Sequence, residues 1–148
     1  MLPLTTNEII RINTETGPIP VKDFSYFFYL FRAIYVISVK SGGNNFQGND
    51  YTRRDVKYLV TIVAKKIKKF SRQEILESSF TNLDINEDLT IVDIKRENPL
   101  DIIFGGISIA LAAAVIISGG KFKGPGFKVE LPPLGIGIKA LKEAFKER

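Results

Sequence analysis

The sequence predicts an α+β fold, a small and mostly antiparallel sheet of three or four short strands packed with four or five helices. Three observations carry this expectation. Apolar residues recur at helical spacing or fill whole turns over 23–39, 52–70, 71–80, 104–118 and 134–146, while alternation of period two marks 8–14, 89–95 and 127–131. Clusters of Gly, Pro, Asn and Ser separate these stretches. The third is size: 148 residues, 45% apolar and 25% charged, fit one globular domain over 1–148.

The first strand is read at 8–14, where Ile10 and Ile12 alternate with Arg11 and Asn13, and Gly17-Pro18-Ile19-Pro20 closes it. A helix follows over 23–39. It is apolar almost all round, from Phe24 to Val39, with Arg32 alone in its middle. A helix without a polar face is buried on several sides or touches lipid. A charge at the centre of a span costs about 2.5–3.5 kcal/mol, so burial in protein is expected, with Arg32 paired to a carboxylate or reaching the surface. Residues 41–50 read as a loop.

Thr52 and Asp55 form a capping-box pattern that opens a helix over 52–70. Its apolar stripe is Val56, Leu59 or Val60, Val63, Ile67 and Phe70. Lys57, Lys65, Lys66, Lys68 and Lys69 lie largely off that stripe, which makes this a basic amphipathic helix. Ser71 and Glu74 repeat the cap and start a shorter helix to residue 80. An acidic loop at 82–87 leads into a strand at 89–95, which Leu100-Asp101-Ile102-Ile103 resumes beyond Pro99.

Residues 102–120 carry no charge. As one helix they would measure roughly 28 Å, close to the ~30 Å hydrocarbon thickness of a bilayer. Nine Ile, Leu, Val or Phe residues would contribute about 3–5 kcal/mol to insertion, which four glycines and two serines offset. Insertion is therefore marginal. Gly105, Gly106, Ser108, Ala110, Ala112, Ala113 and Ala114 would allow close helix approach in a self-associating span or in a soluble core alike. The candidate membrane or self-association residues are Ile102, Ile103, Phe104, Ile107, Ile109, Leu111, Val115, Ile116 and Ile117. A hairpin over 121–131, turning at Gly124-Pro125-Gly126, and a terminal helix over 134–146 complete the expected elements.

Composition narrows the chemistry. No cysteine and no histidine means no disulfide, no thiolate nucleophile and no Ser–His–Asp or Cys–His catalysis. Gly135-Ile136-Gly137-Ile138-Lys139-Ala140 matches a dinucleotide fingerprint in spacing, but no second strand or ribose-binding acid follows it. Asp84, Glu87 and Asp88 lack the glycine and bidentate glutamate of a calcium loop. The expectation is a non-catalytic protein with no cofactor, no metal and no small-molecule substrate.

Net charge is +5, unevenly spread: residues 53–73 hold eight basic side chains against one acidic, and 74–101 hold eight acidic against two basic. The blocks could satisfy one another within a chain or between copies. Otherwise Lys57, Lys65, Lys66, Lys68 and Lys69 suit an anionic lipid surface. Nucleic acid is the weaker partner because few aromatic residues interleave with the lysines. No signal-peptide pattern opens the sequence, so a cytoplasmic location, at the inner face of or within a membrane, is expected. Two readings stay open: a self-associating membrane-associated or pore-type effector, and a soluble homo-oligomeric structural or adaptor module with its apolar helices buried between subunits.

Overall fold

In order, the chain forms β1 (Asn7–Ile12), α1 (Val21–Lys40), a 3-10 turn (Gly43–Asn45), α2 (Arg53–Ile67), α3 (Arg72–Ser79), β2 (Thr90–Lys95), β3 (Asp101–Gly105), α4 (Ser108–Ile117), β4 (Lys121–Phe122) and β5 (Val129–Leu131). This is a computed structural model, and it describes residues 7–12, 20–46, 50–95, 101–122, 129–131, 139, 140 and 143. The fold is α+β. The strands make one five-stranded sheet in the order β2-β3-β1-β5-β4, where the sequence led us to expect three or four. β1 is antiparallel to β3 and parallel to β5, while β2 with β3 and β4 with β5 are antiparallel. Most of the expected terminal helix and the turn of the hairpin lie outside the described residues, though Lys139, Ala140 and Glu143 are helical.

The helix starts follow local chemistry. Thr52 accepts from the Asp55 amide while the Asp55 carboxylate accepts from the Thr52 amide, and Ser71 and Glu74 exchange the same pair of bonds. Each box satisfies amides that the first turn leaves without a helical partner. At α1 the Pro20 carbonyl accepts from the amides of Asp23 and Phe24 instead.

The 102–120 stretch is where expectation and structure part. It is not one helix. Residues through Gly105 belong to β3, paired to β1 on one side and β2 on the other, and only ten residues, Ser108–Ile117, form α4. Ile102 and Ile103 are β-branched and suit a strand as readily as a helix. Pairing on both sides decides the matter, and Gly105-Gly106 marks the change of direction. Ten residues span about 15 Å, half a hydrocarbon core. No helix among the described residues is long and apolar enough to cross a membrane.

α4 is the centre of the core. It packs against α1, α2 and strands β1, β4 and β5, and every residue from Ser108 to Val115 is buried. Its alanines let the neighbours close in: a Cβ on Gly43 would stand 2.8 Å from the Ser38 carbonyl oxygen and 3.4 Å from the Ala110 Cβ. α1 buries Phe27, Leu30, Phe31 and nearly all of its second half. Phe31 and Phe28 meet Phe104 at ring-centroid distances of 5.7 and 5.8 Å, joining α1 to β3.

Candidate functional site

Val56, Leu59, Val63 and Ile67 are all buried. Their three- and four-residue spacing fixes the rotation of α2 and turns Arg54, Lys57, Tyr58, Thr61, Lys65 and Lys68 to the opposite side, where all six are exposed. Arg53 and Lys69 are exposed on its margins, and Tyr58 is 70% exposed at its centre. Among the described residues no ion pair is made by any Arg or Lys of residues 53–69. The one acid of α2, Asp55, is taken up by its cap. Among the described residues the positive block makes no ion pair with the acidic 84–88 segment, whose Asp88 pairs with Arg32 instead.

Lys66 departs from the other lysines. It points toward the end of α1, where its Nζ donates to Ser41 Oγ at 2.8 Å. There a cavity of about 310 Å³ opens between the C-terminal ends of α1 and α2 and the side of α3. Lys40, Ser41 and Lys66 line it together with Glu74 and Glu77, over apolar surface from Val36, Ile37 and Phe70.

The expected membrane or self-association residues do not form one face. Ile109, Leu111 and Val115 are fully buried and Phe104 nearly so, while Ile107, Ile116 and Ile117 are half-buried. Ile102 and Ile103 belong to β3. Most of the apolar surface of α1 and α4 is covered by the rest of the same chain. Among the exposed apolar side chains, Tyr26 and Phe80 flank the α1–α3 boundary, where Tyr26 stacks on the half-buried Tyr29 at 6.1 Å and Tyr29 meets the 70% exposed Phe80 at 6.2 Å.

A polar clasp beneath that boundary was not foreseen in full. Arg32 donates to Asp88 Oδ1 at 2.9 Å and to the Ser79 carbonyl at 2.6 Å. Tyr35 donates to the Glu87 carbonyl at 2.5 Å and accepts from the Ile107 amide at 2.8 Å. A Cβ on Gly106 would lie 2.7 Å from that same hydroxyl, so only glycine leaves room for it. Burial pushes the Tyr35 hydroxyl well above the ordinary tyrosine range, an effect partly offset by the Ile107 amide. The spacing of Arg32 and Tyr35, one helical turn apart, was the signal available in the sequence. The clasp holds the loop before β2 and the link into α4 against α1; Tyr35 is buried, while the Arg32 and Asp88 side chains are partly exposed and paired with each other.

Among the described residues there is no group of three or more acidic, His or Cys side chains that could hold a metal ion. No protein-family model, no curated protein and no solved structure matches this chain.

Proposed function

We propose that this protein is a small non-catalytic module that associates with anionic membrane surfaces through the outward face of α2. One observation carries the reading: Arg54, Lys57, Lys65 and Lys68 share a single exposed face around Tyr58 without an ion pair among the described residues. Near an anionic leaflet each such cation contributes on the order of 1 kcal/mol. The amphipathic ring of a tyrosine suits the headgroup level. The helix lies along the surface rather than through it, and α4 stays in the core.

The test is sedimentation with vesicles. Vesicles rich in phosphatidylserine are expected to carry the protein down at low salt and to release most of it at about 0.5 M, because the Debye length shrinks well below its ~10 Å value at 0.1 M. Lys57→Glu with Lys65→Glu and Lys68→Glu should lower the partition at least tenfold. Equal recovery on neutral phosphatidylcholine vesicles, or tight binding to an RNA oligonucleotide with none to vesicles, overturns the reading.

A soluble homo-oligomeric module is the second reading, favoured by the strip of exposed Tyr26 and Phe80 with half-buried Tyr29 beside the acidic 84–88 segment. The basic α2 face of a second copy complements that segment. Light scattering in detergent-free buffer tests it, and a monomer at high concentration counts against it.

A further inference from the structure

We propose that the cavity between α1, α2 and α3 binds a small zwitterion, a phosphate ester that also carries a primary ammonium group. The walls are divided by charge. Lys40, Ser41 and Lys66 stand on the side formed by the ends of α1 and α2, and Glu74 and Glu77 on the side formed by α3. Two positive and two negative groups border one concavity, yet among the described residues no lysine of one wall forms an ion pair with a glutamate of the other. All four charged side chains are exposed at the rim, and the open space between the two walls suits a ligand that carries both charges.

The donors and acceptors left over describe that ligand. Lys66 spends one of its three N–H groups on Ser41, and the Ser41 hydroxyl proton has no acceptor among the described residues. With Lys40 this makes three separate donors on one wall, a better match for the three terminal oxygens of a phosphate than for the two of a carboxylate. On the other wall Glu74 Oε1 accepts from the Ser71 amide and Glu77 Oε2 accepts from Gln73 Nε2 at 3.3 Å. Each carboxylate keeps capacity to accept from an ammonium. A simple anion would meet Glu74 and Glu77, and a simple cation would meet Lys40 and Lys66; only a molecule with both charges meets attraction on both walls. Val36, Ile37 and Phe70 supply apolar surface for the methylenes between them. A volume of about 310 Å³ holds a group of this size.

The shared chemistry is a phosphate ester joined to a primary ammonium through two methylenes, which occurs as the monoester in free phosphoethanolamine, whose three terminal oxygens match the three donors, and as the diester, with two such oxygens, in an aminophospholipid headgroup. The reading does not depend on the α2 surface, because the first arm of the test uses no membrane. Amide shifts of the full chain are followed on titration with O-phosphoethanolamine, phosphocholine and inorganic phosphate. Saturable shifts confined to residues 36–41, 66–70 and 74–81 are expected, with phosphoethanolamine at least tenfold tighter than the other two. Glu77→Gln should remove that preference, and Lys66→Gln should weaken phosphoethanolamine and phosphocholine alike. Equal affinity for all three, shifts on the outward α2 face only, or no saturation by about 10 mM overturns the proposal.

The second arm assigns the source. Neutral vesicles with and without phosphatidylethanolamine are compared for the Lys57→Glu, Lys65→Glu, Lys68→Glu variant, which leaves the cavity lining intact. Retention that needs phosphatidylethanolamine and is displaced by free phosphoethanolamine assigns the lipid headgroup; free-ligand binding without retention assigns the soluble ester.

Discussion

Tyr35 shows how much one side chain can hold together. Its hydroxyl serves two backbone groups of opposite need, the Glu87 carbonyl and the Ile107 amide, which lie far apart in sequence. Tyr35→Phe keeps the ring and leaves both groups without their partner, at a cost of about 1–3 kcal/mol by the usual penalty for an unsatisfied buried polar group. Urea denaturation reads this directly. The same substitution has a signature in alkali. Because the folded-state pKa lies above the ordinary value of 10.0, the folded protein holds its proton more tightly than the unfolded chain. That contribution is intact below pH 10 and is lost progressively as pH rises beyond it. The wild type should therefore lose stability above that pH more steeply than Tyr35→Phe, a difference that denaturation at pH 9 and pH 11 would reveal. Equal slopes would mean that the hydroxyl is not enclosed as described.

At the level of elements, α4 is the most exacting. Ile109 is fully enclosed between sheet and helices, so Ile109→Lys places an unpaired charge in the core and should abolish cooperative unfolding. Circular dichroism and amide dispersion check the loss, and a folded variant would mean that α4 lies at a surface. The element boundaries show what sequence can convey. The starts of α2 and α3 were legible because Thr52 with Asp55 and Ser71 with Glu74 are local signals, three residues apart. The exposure of Lys57, Lys65 and Lys68 was legible because Val56, Leu59, Val63 and Ile67 form an unbroken buried stripe. The division within 102–120 was legible only in part: Leu100 to Ile103 read as strand and 104–118 as helix, whereas β3 runs to Gly105 and α4 starts at Ser108, because the deciding hydrogen bonds come from β1 and β2. The position of Lys66 was not legible, since its partner Ser41 lies 25 residues earlier. The cavity beside it depends on the ends of three helices meeting, which no single stretch of sequence encodes.

On the scale of the whole molecule, β1 occupies the middle of the sheet, with β3 against one edge and β5 against the other. The pairing of Ile10 to Ile12 with Val129 to Leu131 therefore completes the sheet. Glu130→Pro removes a ladder amide from β5, which sits between β1 and β4, and is expected to lower stability by at least about 1 kcal/mol on hydrogen-bond loss alone. Hydrogen exchange should then show faster exchange at β1 as well as β5 while α2 and α3 keep their protection. Unchanged exchange at β1 would refute the parallel contact.

That central position has a consequence during synthesis. β1 leaves the ribosome ahead of every partner it will have, and neither flank can be filled until β3 and later β5 have been made. The helices α1 to α3, whose contacts are shorter in range, can gather first. Until then the earliest-made strand has two unpaired edges, so a nascent chain halted before residue 101 should be the form most in need of a chaperone.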